Sequence, residues 1–278
     1  MSAQGSSSVL VCTDLDRTVI YSAAALALTG PDVDAPRLLC VEVYQQAPLS
    51  YVTETAAATL EQLAAATTLV PTTTRTPEQY LRVHLPGPPP QFAITANGGR
   101  LLVDGVVDGD WSAHVAEQLT ASAPLEEVRE RLSGAGDFLL RLRTAEDLFA
   151  YAVVDRAAMP TAWVEELGGW CGERGWGVSV QGRKVYCVPD GLRKSSAARE
   201  VATRTRSTTL LAAGDSLLDT DLLLAADAAV RPAHGELQDT GFSAPHVEVT
   251  RASGVLAGEE LVAWLLGRSS TAAVSTTP

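Results

Sequence analysis

Two pairs of aspartates are the residues of this chain best placed to do chemistry. Asp14 and Asp16 stand two apart where an apolar run, Val9-Leu10-Val11-Cys12-Thr13, gives way to D-L-D-R-T. Side chains two apart on an extended chain point the same way, so both carboxylates are expected to face one pocket. Asp215 and Asp219 follow another apolar run, Thr208 to Ala213, within Gly214-Asp215-Ser216-Leu217-Leu218-Asp219. Their spacing of four predicts one face of a helix's first turn. A solvated acidic turn favoured by the helix dipole explains Asp219, but not a glycine-flanked acid directly after a buried strand. If the two runs are neighbouring strands, four carboxylates converge. Two unit charges about 4 Å apart repel by roughly 4 kcal/mol at an effective dielectric of about 20. Such a cluster demands a cation, and oxygen-only ligands select a hard one, magnesium.

Two further segments supply neutral and cationic partners. Pro71-Thr72-Thr73-Thr74-Arg75 closes an apolar run that begins near Thr67. Threonine hydroxyls and backbone amides at a strand end can bind phosphate oxygens, although three successive threonines leave open which one does. Lys194, in Gly191-Leu192-Arg193-Lys194-Ser195, enters the helix that precedes the Thr208–Ala213 run. Taken alone it reads as a surface lysine.

The elements that must position these groups are legible as strands and helices. The three apolar runs are unbroken, end in polar loops and alternate with helical stretches such as 53–66. That pattern predicts a parallel, Rossmann-like α/β sheet covered on both faces, with its chemistry at the carboxyl ends of the strands. Between the second and third runs the texture changes. A stiff Pro86–Pro90 connector leads to a strand at Phe92–Thr95, a hairpin turn at Asn97-Gly98, and a strand over Leu101–Val107. A helix over Trp111–Leu132, strands at 138–143 and 148–154, a helix over 161–173 and a hairpin about Gly182 then form an αββαββ unit. This predicts an α/β core at 1–107 and 191–278 with an inserted α+β cap at 108–190. Leu38–Tyr44 and Leu49–Val52 predict an extra hairpin near the site entrance, and Arg268–Pro278 a frayed end.

D-L-D-R-T, the T-T-R loop, G-L-R-K and G-D-S-L-L-D resemble, in order and context, the four motifs of the haloacid dehalogenase superfamily of phosphotransferases. The cap and the Asn97-Gly98-Gly99 turn resemble its subgroup containing sucrose-phosphate phosphatase, mannosyl-3-phosphoglycerate phosphatase and eukaryotic phosphomannomutase. The resemblance covers essentially the whole chain. It implies that Asp14 is a nucleophile taking up the phosphoryl group, and that Asp16 protonates the leaving oxygen and then deprotonates water. Thr73 would hold a phosphate oxygen, with Thr74 and Arg75 beside it on the substrate, and Lys194 would neutralise phosphate and Asp14. Magnesium would sit between the Asp14 carboxylate, the Asp16 carbonyl and Asp215, with Asp219 in support. A carboxylate attacking a phosphate dianion is opposed by like charge, which is why this chemistry requires the cation and the lysine. Two positions depart from the pattern: Arg17 stands where D-x-D-G-T has glycine, and Thr74 where T-G-R does.

Composition limits the partners. A net charge of -12 excludes the basic surface that nucleic acid requires, and no apolar run is long enough for a membrane span. The polar start carries no secretory pattern. The four cysteines lack metal spacing and read as buried free thiols of a cytoplasmic protein. A small phosphorylated metabolite, a sugar phosphate favoured, is the expected partner of a monomer or homodimer. A phosphomutase of the same fold and a non-catalytic phosphate-binding module are the alternatives. In the cap, Arg141 and Arg143 are expected to share one strand face with Leu139, with Phe138, Leu140 and Leu142 on the other, and Arg183 and Lys184 lie at a hairpin turn. They read either as contacts to a second anionic group or as a solvated sheet face.

Overall fold

The computed structural model describes residues 8–275, with side chains as far as Ala272. Five parallel strands form the core sheet in the spatial order Val247–Val249, Ala228–Arg231, Thr209–Ala213, Val9–Thr13, Thr68–Pro71. Val9–Thr13 is buried along its whole length between the two other predicted strands, so its carboxyl end is flanked by theirs.

Alternation divides the core in two. Leu10, Cys12, Val70 and Ala212 pack toward the helices Lys194–Thr205 and Thr220–Ala225. Val9, Val11, Leu69 and Leu211 pack toward Glu54–Ala66 and Val255–Ser275. Fully burying each such aliphatic side chain contributes about 1.5–3 kcal/mol. The last helix extends through Ser275, where a frayed end was expected from Arg268 onward. Buried Leu261, Val262 and Leu265 anchor it, and Ser269 and Ser270 satisfy their hydroxyls on the Leu266 carbonyl. Residues 276–278 of that expectation lie outside the described residues.

Phe92–Thr95 pairs with Arg100–Val103, and the connection between them is more contorted than a hairpin turn: Ala96, Asn97 and Gly98 all have positive φ. Gly98 has no room for a side chain, because a Cβ would lie 2.4 Å from the Arg193 carbonyl oxygen. Asn97 donates to the Leu192 carbonyl, so this turn docks directly onto the chain entering the Lys194 helix. Leu101–Val107 is not one strand. A turn at Asp104-Gly105, both with positive φ, folds Val106–Val107 back on Arg100–Val103.

The inserted cap is a four-stranded antiparallel sheet in the order Trp176–Gln181, Lys184–Pro189, Phe149–Val154, Leu139–Ala145. The helix expected over Trp111–Leu132 is two, Gly109–Gln118 and Leu125–Ser133. Pro124 explains the break, since it has no amide hydrogen and pushes Ala123 out of helical geometry. A bulge at Val153/Val154 interrupts pairing with Leu139–Ala145. Unpaired Leu140 is consequently exposed rather than packed with Leu142. The expected extra hairpin is present as Leu38–Tyr44 and Ala47–Thr53. Cys12, Cys171 and Cys187 are buried free thiols; Cys40, on that hairpin, is exposed.

Candidate active site

The strand ends bring the predicted motifs together. The Asp14 amide donates to the Ala213 carbonyl on the neighbouring strand. One Asp14 oxygen accepts from Lys194 Nζ at 2.8 Å and the other from Thr18 Oγ1 at 3.3 Å. Lys194, the first residue of its helix, is completely buried, and its ammonium also donates to Asp219 Oδ1. The second Asp219 oxygen accepts from the Asp215 and Ser216 amides and from Ser216 Oγ. Asp219 thus closes a capping box in a short 3-10 turn, Leu217–Asp219, and stands as the N-cap of the α-helix Thr220–Ala225 that follows. Gly214 is pressed against Asp219, and Gly235 against Asp215, where a Cβ would meet Oδ2 at 2.5 Å.

Charge in this pocket is unbalanced. Burial pushes the Asp14 carboxyl up to about 7, the Lys194 charge opposing and the Asp219 charge adding. Asp215 is raised well above the carboxylate range by burial and by the Asp14 and Asp219 charges. Burial alone would lower Lys194, but Asp14 and Asp219 outweigh it and hold the lysine above its ordinary value. Asp14, Asp215 and Asp219 each present an oxygen within 4.8 Å of the others. With Asp219 committed to Lys194 and the loop amides, Asp14 and Asp215 retain coordinating capacity. Two buried carboxylates, all-oxygen donors and surplus negative charge fit a hard divalent cation such as magnesium.

Arg17 adopts the left-handed conformation, φ 62°, which accounts for glycine in the usual motif. Holding a non-glycine residue there costs about 1–3 kcal/mol. The Arg17 amide donates to Ile20, its carbonyl contacts His234 Nε2 at 2.8 Å, and its side chain lies 3.6 Å from Asp215.

Asp16 lines the cavity beside the buried cluster, but its partner is Arg75, whose fork donates to both carboxylate oxygens at 2.7 and 2.8 Å. Burial would raise the Asp16 carboxyl; the hydrogen bonds and charge of Arg75 outweigh it and keep Asp16 ionised. Behind Arg75 stands Glu42 of the inserted hairpin, with its side chain fully buried. Glu42 pairs with Arg75 at 2.9 Å, approaches Arg82 at 3.5 Å and accepts from Ser50 Oγ at 2.7 Å. Of the three threonines, Thr72 donates back to the Val70 carbonyl, Thr73 is buried and accepts from the Arg75 amide, and Thr74 borders the cavity.

Above these groups the cavity, about 1100 Å³, is walled by the cap, and Arg141 and Arg183 both line it. Core and cap are also joined directly, by Glu236. Its carboxylate accepts from Ser179 Oγ and the Val180 amide of the cap, each at 2.6 Å, and from the Leu217 amide of the core at 2.9 Å.

Of the residues expected at the site, Asp14, Lys194, Asp215 and Asp219 come together in one buried cluster, and Asp16 and Arg75 pair with each other beside it; the groups that hold them had no motif in the sequence. Glu42 was concealed within a β-rich hairpin, its one signal being a lone acid in Leu38–Tyr44. Asp221, which accepts from the Ser195 amide and caps the Lys194 helix, follows Asp219 by two residues. His234 and Glu236 flank Gly235 and carry no motif of their own.

Two outcomes follow from these contacts. Removing one partner of a buried ion pair costs about 3–5 kcal/mol. Glu42→Ala leaves Arg75 its paired contact with Asp16, so only part of that cost is expected, about 1–3 kcal/mol in urea-induced unfolding; no measurable loss contradicts the pairing. The second concerns His234, whose Nδ1 accepts from the Gly254 amide, so Nε2 carries the proton and donates to Arg17. Burial lowers its pKa below the ordinary histidine value. The unfolded chain then binds a proton that the folded one refuses, and stability falls as pH drops from about 6.5 toward the lowered value. His234→Gln is expected to flatten that slope in unfolding measured between pH 5 and 7; an unchanged slope contradicts it.

No protein-family profile and no curated relative matches the chain. Solved structures do. The chain is similar to the sucrose-phosphatase of Synechocystis, solved with sucrose and phosphate, at 16% identity and a TM-score of 0.61, covering 93% of this chain and 98% of that one. A subclass IIB sugar phosphatase of the haloacid dehalogenase superfamily matches at 11% identity and 0.57, over 94% and 98%. The C-terminal domain of trehalose-6-phosphate phosphatase from C. albicans matches at 10% and 0.55, over 95% and 93%. The chain has the capped fold of the haloacid dehalogenase phosphatases.

Proposed function

We propose that the chain is a magnesium-dependent phosphatase acting on a small phosphorylated metabolite, a sugar phosphate favoured, through an aspartyl-phosphate intermediate. The observation that carries this reading is the buried Asp14–Lys194–Asp219 contact beside Asp215, at the carboxyl ends of the neighbouring strands Val9–Thr13 and Thr209–Ala213. The sugar preference draws support from the sugar phosphatases that share the fold.

In the first half-reaction an Asp14 oxygen attacks phosphorus, the bond to the leaving oxygen breaks, and Asp16 supplies that oxygen's proton. In the second, water attacks the phosphorus of the aspartyl phosphate, Asp16 takes the water proton, and the Asp14–phosphorus bond breaks. Lys194 is placed to offset the charge shared by Asp14 and the incoming phosphate, with Thr73 and Thr74 at the phosphate oxygens. Asp14, the Asp16 carbonyl and Asp215 would hold magnesium, with Asp219 in support; bound there, it supplies charge neutralisation that lets two anions approach. Asp16 has to leave Arg75 to act as an acid, and Glu42 gives Arg75 an anionic partner that stays behind. The unit at 108–190 serves as the cap, excluding water while the intermediate forms.

Asp14→Asn keeps the side chain's shape and removes the nucleophile. Its turnover of p-nitrophenyl phosphate with magnesium is expected to fall by about a thousandfold or more, with the circular dichroism spectrum unchanged. Asp215→Asn is expected to raise the magnesium concentration needed for half-maximal rate, with partial recovery at excess metal. Substantial activity in the first variant, or a magnesium-insensitive loss in the second, contradicts the assigned roles.

A further inference from the structure

The register of the cap sheet places its charged and aromatic residues in two rows on one face. Arg143, Tyr151, Tyr186 and Ser179 lie opposite one another across the four strands, and Arg141, Val153, Lys184 and Gln181 form the adjacent row. The alternate rows, beginning Leu142-Ala152-Val185 and Thr144-Ala150-Cys187, point the other way, and their buried members belong to the apolar core beneath the sheet. The first face looks into the cavity above Asp16 and Asp215. The Tyr151 and Tyr186 rings lie 5.2 Å apart at 33°, with the Lys184 ammonium 5.6 and 5.9 Å from their centroids.

Every full charge on this wall is positive, in a chain with 33 acidic and 21 basic residues. Arg141, Arg143 and Arg183 make no side-chain ion pair or hydrogen bond among the described residues, whereas Arg75, Arg82, Arg100 and Arg174 are all ion-paired. The acids facing the wall across the cavity are Asp16 and Asp215. Arg75 occupies the first, and the second belongs to the candidate cation cluster. On the phosphatase reading, Lys194 and a bound cation would be the counter-charges of the transferred phosphate. The cap arginines are therefore surplus to it, and in a cleft of this kind they concentrate attraction for another anion.

Resting on the phosphatase reading above, we infer that the leaving group of the substrate carries a second anionic group, a carboxylate or another phosphate, received by Arg141 and Arg143. A neutral sugar monophosphate would leave both arginines without a partner.

Competition against p-nitrophenyl phosphate hydrolysis, with magnesium present, tests this without requiring that a probe be turned over. The probes are glucose 6-phosphate, 6-phosphogluconate and glucose 1,6-bisphosphate. At least one of the doubly anionic probes is expected to inhibit at about a tenfold or lower fraction of the glucose 6-phosphate concentration, and which one does so separates carboxylate from phosphate. The advantage is expected to shrink with added salt and to vanish in the Arg141→Gln/Arg143→Gln double variant. Equal inhibition by all three, or an advantage that survives the double variant, overturns the inference and leaves the phosphatase reading standing. Absence of p-nitrophenyl phosphate hydrolysis by the unaltered protein overturns the phosphatase reading itself, and this inference with it.

Discussion

A completely buried ammonium between two carboxylates organises this molecule. Removing an ion from water costs several kcal/mol even after the protein relaxes, and only close, well-directed partners repay it. Lys194 has such partners in Asp14 and Asp219. The arrangement still leaves more negative than positive charge once Asp215 is counted, and burial together with the neighbouring carboxylates drives Asp14 and Asp215 upward. A pocket that holds its lysine ionised and its acids under strain is prepared for a further cation.

Much of the surrounding backbone can be understood as what that arrangement requires. The Lys194 helix must begin at one place, and three devices fix it. Gly98 admits the Arg193 carbonyl, Asn97 holds the Leu192 carbonyl, and Asp221 caps the exposed amide of Ser195. Asp219 must turn one oxygen to the lysine, so its other oxygen is held by the Asp215 and Ser216 amides over a glycine that cannot carry a side chain. Arg17 sits in a conformation better suited to glycine, and its amide and carbonyl are both tied down. Asp16 belongs to a second charged chain, running through Arg75 to Glu42, that keeps it apart from the lysine.

The parts legible from the sequence were those with strong local signals. Val9–Thr13, Thr68–Pro71 and Thr209–Ala213 are continuous apolar runs ending in polar loops, and the structure makes them adjacent parallel strands. The motifs at their ends converge as their spacing implied. Ala228–Arg231 and Val247–Val249, which complete the sheet, are only four and three residues long, and the second is largely exposed. Neither has a periodicity to detect. Pairings over long sequence separations were equally invisible. Nothing local marks Glu42 as the partner of Arg75, or Glu236 as the contact between core and cap. The bulge shows how one extra residue shifts a face: Leu140 is exposed, and Leu139, which strict alternation puts beside Arg141 and Arg143, packs against the core.

The central claim is that the cluster exists to carry a phosphoryl group on Asp14. Its most direct test is a rapid acid quench of the protein with magnesium and phosphorus-32-labelled p-nitrophenyl phosphate, followed by peptide mapping of the retained label. The account predicts a hydroxylamine-labile phosphoryl group on the peptide containing Asp14, formed at least as fast as steady-state turnover. Turnover with no labelled protein at any quench time, or label on another residue, would contradict it.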